Sequence, residues 1–217
     1  MNKKISLILV FLMVFIFVNS VFAQRDWEYW SCENFAIPID KTISYLINTE
    51  WRFNNDMDYN YLFKVETGPS FKINNYLEIA PYYVYQEKQS KNMWDRSDLV
   101  YLDASLKSAL VESLDIKFSN RFRYQYDFDK AKTILRDAIK ISKGFKIGRQ
   151  EIAPYFSEEP FYDAKLARIT EHRTTAGMTY AFTKNISLGI GYMLNSKKGT
   201  SKWTYANVLM SNLNIRF

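Results

Sequence analysis

Cys32 is the only cysteine and His172 the only histidine among 217 residues. A lone thiol forms no internal disulfide, even in an oxidising compartment. Past residue 23 no apolar stretch approaches the roughly 20 residues that a membrane-spanning helix needs, and the chain is mildly polar overall, which excludes a helical membrane protein. No linker or low-complexity tract interrupts it, so one domain suffices. Nothing in the residue pattern calls for a metal or a cofactor.

The amino terminus is distinctive. Asn2, Lys3 and Lys4 make a short basic start, Ile5 to Val18 is almost unbroken apolar sequence, and Val21-Phe22-Ala23 resembles a small-residue cleavage site. Residues 1–23 therefore read as a cleaved export signal, with the mature chain beginning at Gln24. Removing Lys3 and Lys4 lowers the formal charge from +6 to +4. That modest basic balance in an exported protein suits anionic lipid headgroups better than nucleic acid.

Aromatic residues are plentiful, at 17% with 16 Tyr and 16 Phe, as expected for strands that face lipid and present rings at its interfaces. Strict alternation supplies the strands. Leu114, Ile116, Phe118, Asn120, Phe122, Tyr124, Tyr126 and Phe128 alternate with Asp115, Lys117, Ser119, Arg121, Arg123, Gln125 and Asp127, a separation too clean for a helix. The same split recurs at 43–53, 61–72 and 186–195. The chain closes on Trp203, Tyr205, Asn207, Leu209, Ser211, Leu213, Ile215 and Phe217, a largely apolar face ending on an aromatic carboxy terminus. Outer-membrane barrels end this way, and the barrel-assembly machinery would read that strand.

The expected fold is an all-β, antiparallel transmembrane β-barrel over residues 42–217, with ten strands and twelve as the alternative. Counting back from Phe217, turns near Lys184, Lys146, Glu112, Asn74 and Lys41 fall on the periplasmic side. Those near Lys198, Ala164, Asp129, Lys91 and Asp56 fall outside. Residues 24–41 pose a parity problem, because an eleventh strand would place Gln24 outside. They form either a first strand or a segment in the lumen or periplasm. Glu78-Ile79-Ala80-Pro81-Tyr82-Tyr83 is echoed by Glu151-Ile152-Ala153-Pro154-Tyr155-Phe156. Proline cannot donate to a ladder, so Pro81 and Pro154 imply bulges or broken pairing.

Asn120-Arg121-Phe122-Arg123-Tyr124-Gln125-Tyr126, Pro154 to Tyr162 with its Pro-Tyr-Phe-Ser-Glu-Glu run, Ile186 to Tyr192 and the closing Asn207 to Phe217 resemble the domain-of-unknown-function family twenty-four ninety. The resemblance implies a small outer-membrane barrel and carries no catalytic residues with it.

Inward positions supply Arg52, Lys64, Lys72, Lys107, Lys117, Arg121, Arg123, Arg136 and Lys140 against Glu50, Glu66, Glu78, Asp103, Asp115, Asp127, Glu151 and Glu159. The signs nearly cancel, and in a narrow barrel such side chains tend to fill the lumen with ion pairs. Pairing around Glu112 is expected to set Asp103 opposite Arg121 and Lys107 opposite Lys117, with Arg123 across from Arg136. Lys117, Arg121, Arg123, Arg136 and Lys140 form a basic wall. It is either neutralised by Asp103, Glu158 or Glu159, or lines a narrow anion-preferring path. His172 beside Glu171 is the one weak catalytic candidate, for an outer-membrane hydrolase at the extracellular rim. Alternation puts it on the lipid-facing side, where a headgroup contact is the plainer role. Loop cations Lys88, Lys91, Arg96, Lys130, Lys132, Lys165, Arg168, Lys197, Lys198 and Lys202 suit anionic glycolipid headgroups. The reading is a monomeric, non-enzymatic structural barrel or narrow pore.

Overall fold

A computed structural model describes residues 27–90, 93–111, 115–148 and 150–217. Residues 1–23, expected as an export signal, and residues 24–26 lie outside these, as do the turn positions Lys91 and Glu112. The strands are β1 (Trp27–Pro38), β2 (Ile43–Asn54), β3 (Tyr59–Lys72), β4 (Leu77–Ser90), β5 (Met93–Val111), β6 (Ile116–Asp127), β7 (Lys132–Lys143), β8 (Phe145–Ile147), β9 (Gln150–Asp163), β10 (Arg168–Ala181), β11 (Ile186–Lys198) and β12 (Trp203–Arg216). No described residue is helical.

Eleven strands close into a barrel, and β8 is a short extra strand that continues β7 against β9 across Gly144. The ten strands counted from the sequence are all present, and β1 is the eleventh stave. It pairs antiparallel with β2 and parallel with β12, from Trp27 beside Asn207 to Ala36 beside Arg216. The parallel seam decides between the alternatives: an odd number of staves closes only if first and last strands run the same way, so β1 begins at the rim opposite Phe217, as an eleventh strand implies. Residues 24–41 thus contribute a full strand from Trp27 onward, leaving neither twelve equal staves nor a free lumenal segment.

Turns at 39–42, 73–76 and 182–185 lie at the Phe217 rim, and turns at 55–58, 128–131, 164–167 and 199–202 at the opposite rim. The far turns run through the left-handed region without glycine, at Asn55, Asp56, Met57, Ala131 and Ala167. At the near rim Asp40 replaces missing backbone partners. Its carboxylate accepts the amides of Thr42 (2.6 Å) and Ile43 (2.7 Å), and these bonds hold it below the usual aspartate range.

The prolines break pairing where expected. The β3–β4 ladder lapses between Thr67–Tyr83 and Phe71–Ile79, beside Pro69 and Pro81. Pro154 faces the interruption at Gly144, and Pro160 sits in the second gap of the β7–β9 ladder, between Arg136–Phe161 and Ile139–Glu158. At the first gap the strands crowd together, since a Cβ on Gly68 would stand 2.0 Å from the Pro81 carbonyl oxygen.

One expected register is shifted. Asp103 pairs with Arg123, not Arg121, and Lys107 with Ser119, not Lys117. The observed ladder differs from the expected one by two residues, an even shift that keeps every side chain on its own face, and a one-residue bulge lies between Ala109 and Val111 near the turn. Arg123 does stand across from Arg136.

The distribution of side chains inverts that of a water-soluble barrel. Exposed outward positions include Tyr45, Trp51, Phe71, Tyr83, Leu102, Phe122, Ile139, Phe156, Ile190 and Leu209, whereas Lys64, Glu66, Asp103, Arg123, Arg136 and Asn195 are buried inside. Two apolar clusters interrupt the polar interior, one of Ala80, Tyr82, Val84, Leu99 and Tyr101, the other of Trp30, Met193 and Val208.

Candidate functional site in the barrel lumen

The lumen is crossed by a connected ionic network built from seven strands. Period-two alternation sends Glu50 and Arg52 inward from β2, Lys64 and Glu66 from β3, Asp103 from β5, Arg121 and Arg123 from β6, Arg136 from β7, Glu159 from β9, and Glu171 and Arg173 from β10.

One half of the network centres on Arg123, which is 3% exposed. Its Nε and Nη2 donate to both oxygens of Asp103 at 2.6 and 2.8 Å, and Nη1 and Nη2 reach Glu66 at 3.2 and 3.1 Å. Its guanidinium also lies 4.4 Å from the Tyr101 ring centre. Lys64 bridges Glu66 (2.6 Å) to Glu50 (2.5 Å), and Glu50 binds Arg52 in turn. The other half centres on Glu159, which accepts from Arg121 at 2.7 Å and Arg136 at 2.9 Å, with Arg173 at 3.7 Å. Arg173 returns to Glu171 at 2.7 Å.

Aromatic rings join the halves. Arg52 and Arg173 lie 3.6 and 4.8 Å from the Trp30 ring centre, while Arg136 and Arg173 both lie against Phe161. Trp30 donates its indole N–H to Glu28 (2.7 Å), which also accepts from Tyr61 (2.7 Å). Charges removed from water are tolerable only when paired, and every charge in this network has an opposite partner, with Arg121 Nε the one buried guanidinium nitrogen of the network left without a hydrogen bond among the described residues. Chemically the arrangement binds its own members. Alternating cations, carboxylates and rings occupy the cross-section and leave none of the network's cations without a protein anion.

The expected basic wall is therefore divided. Asp103 neutralises Arg123, and Glu159 neutralises Arg121 and Arg136. Lys117 sits at the Phe217 rim near Asp115 (3.3 Å) and Glu151 (3.8 Å), and Lys140 lies 3.9 Å from the Tyr155 ring centre. Glu158, expected as a lumenal acid, faces outward instead. The alternation that turns Glu159 inward sends its neighbour to the outer wall, where Glu158 meets His172 Nε2 at 2.9 Å and Thr174 at 3.1 Å. His172 is outward, as alternation implies. Among the described residues no group of three or more His, Cys, Asp or Glu side chains is placed to hold a metal.

Sequence reasoning passed over Glu28, Trp30, Tyr61, Glu171 and Arg173. The last two share a face with Thr175 and oppose His172, so parity alone would have found them. Tyr61 was not readable this way, because a register shift beside Arg52 and Phe53 turns both Tyr61 and Leu62 into the interior. A second omission lies on the outer wall at mid-height. Glu33 accepts from Ser31 (2.6 Å) and Thr49 (2.5 Å), flanked by Phe35 and Ile37 on one side and Tyr29 on the other.

A closed all-β barrel with an ionic, ring-braced interior is the class that this fold and site define. The chain belongs to a protein family of unknown function, DUF2490, whose model matches residues 27–206. No curated protein matches it.

Proposed function

We propose that the protein is an outer-membrane β-barrel with a filled, non-conducting lumen, serving a non-enzymatic structural role at the cell surface. The observation that carries this reading is the inversion of polarity: large apolar side chains outside, buried ion pairs inside. A water-soluble protein would pay heavily for such a surface, whereas lipid favours it. Ile186, Leu188, Ile190, Tyr192 and Leu194 form an outward apolar run on β11 that ends at Ser196 and Lys198, close to the 9–11 residues of a transmembrane strand. The cleavable amino-terminal segment and the closing strand ending on Phe217 support export and assembly into that membrane. The closing strand supports a periplasmic Phe217 rim, with the opposite rim, where β1 begins, outside and its cations beside anionic glycolipid headgroups.

Planar-bilayer recording tests the lumen. Folded, purified protein is expected to insert without steady conductance, and a reproducible open channel would refute the filled lumen. Glycolipid is expected to co-purify on gentle extraction and to be visible by native mass spectrometry.

The contact between Glu158 and His172 favours one second reading, a hydrolase acting on lipid esters from the outer wall. A carboxylate beside an imidazole is the usual means of orienting a general base. Thr174, however, gives its hydroxyl proton to Glu158 and not to the imidazole, so no activated nucleophile is assembled. Release of fatty acid by the wild type that is abolished in His172→Ala would establish this reading over the first.

A further inference from the structure

Below the ionic network, at the Phe217 rim, the lumen widens into a cavity of about 480 Å³. Leu46, which packs on the cluster of Ala80, Tyr82 and Tyr101, is among the residues that line it. Four cations line it: Lys41 from the first near-rim turn, Lys72 at the end of β3, Lys107 on β5 and Arg216 at the end of β12. Two carboxylates, Asp40 and Glu78, share it.

Both carboxylates are already engaged. Asp40 accepts the amides of Thr42 and Ile43 and the Thr42 hydroxyl (2.9 Å), bonds from neutral donors that shape the turn and leave its charge in place. Glu78 accepts from Ser70 at 2.7 Å and from Lys107 at 3.1 Å. Among the described residues Lys41, Lys72 and Arg216 then form no ion pair, and neither does the terminal carboxylate of Phe217. The contrast with the lumen above is informative, because there each arginine of the network meets a carboxylate. Three cations from three separate strand ends converge on one concave, polar space of a size typical of small-ligand sites.

We propose that this vestibule binds an oxyanion-bearing molecule from the periplasm, a carboxylate or phosphate held by Lys41, Lys72 and Arg216. The serine, threonine and asparagine side chains around them, Ser44, Ser70, Thr42 and Asn74, offer hydrogen bonds to hydroxyl or amide groups of the same ligand. The guanidinium of Arg216 is suited to bidentate capture of a planar or tetrahedral oxyanion, and the two lysines serve as point charges on either side. The proposal rests on the filled-lumen, outer-membrane reading, whose orientation opens the space to the periplasm.

Isothermal titration of the full, folded barrel in detergent with citrate and with inorganic phosphate tests it. Saturable binding of at least one probe is expected. Lys72→Gln with Arg216→Gln should weaken it by about tenfold or more, as loss of two charge-assisted contacts does. Lys41→Gln with Lys72→Gln leaves the closing strand intact, covers any assembly defect of the first variant, and should weaken binding comparably. Lys130→Gln at the far rim should leave it unchanged. A preference for citrate identifies a carboxylate ligand, and a preference for phosphate a phosphorylated one. No saturable binding by the wild type, or equal affinity in wild type and both near-rim variants, overturns the proposal. Conductance on the same preparation separates the two readings. A silent barrel that binds neither anion refutes the vestibule alone, whereas a conducting barrel refutes the filled lumen.

Discussion

Arg123→Ala is the most direct probe of whether the lumen is a dry ionic core or a wet channel. The native guanidinium makes four hydrogen bonds to two carboxylates at 2.6–3.2 Å and is almost fully buried. Truncation leaves the two carboxylates in different positions. Glu66 keeps Lys64 at 2.6 Å, but Asp103, itself 4% exposed, loses its only ionic partner. An uncompensated buried charge of this kind costs about 3–5 kcal/mol. Equilibrium unfolding by guanidinium in lipid vesicles, followed by tryptophan fluorescence, reads the loss as a lowered midpoint at unchanged slope. Replacing the pair together, Arg123→Met with Asp103→Leu, should recover stability to within about 2 kcal/mol of the wild type, because no orphaned charge remains. The refuting result is a single-variant cost under about 1 kcal/mol, the value of an exposed pair screened by water and salt. It would mean that solvent already reaches Arg123, and the filled lumen would fall with it.

The crowding at the β3–β4 break makes a second prediction. Gly68→Ala forces a methyl group against the Pro81 carbonyl, backbone against backbone, and should cost about 1–3 kcal/mol in the same unfolding assay, with slower assembly. Wild-type stability in that variant would show that the strands separate more freely than the structure has them. On the outer wall, His172→Ala removes a half-exposed pair with Glu158 and should change stability by less than about 1 kcal/mol while leaving lipid composition unaltered. Altered lipid acylation in cells carrying that variant would contradict the structural role.

Much of the barrel was legible because a strand assigns faces by parity. Ile116 to Asp127 alternates cleanly, and from that alone Arg121 and Arg123 point inward and Phe122 and Tyr124 outward, as they do. A two-residue error in the β5–β6 register left every face correct while exchanging partners, since parity survives any even shift. The same rule should have separated Glu158 from Glu159, and sent Glu171 and Arg173 inward. What it could not supply was distance. Glu66 and Arg123 come from β3 and β6, with two strands between them in the wall, and they meet across the lumen because long side chains reach toward the axis.

The sequence by itself determined the local matters: strands from alternation, breaks in pairing from proline, an apolar outer face and a charged inner one, and the family from its motifs. Each depends on residues a few positions apart, where backbone geometry is nearly fixed. Closure belongs to the tertiary structure alone. Trp27 beside Asn207 is a contact between the two ends of the described chain, and its parallel sense made the barrel odd-stranded. The pairing of the basic wall was decided there too: Glu159 on β9 meets Arg136 and Arg173 from its two neighbouring strands and Arg121 from the strand beyond β7, at distances that parity does not supply, while among the described residues Lys41, Lys72 and Arg216 at the rim form no ion pair.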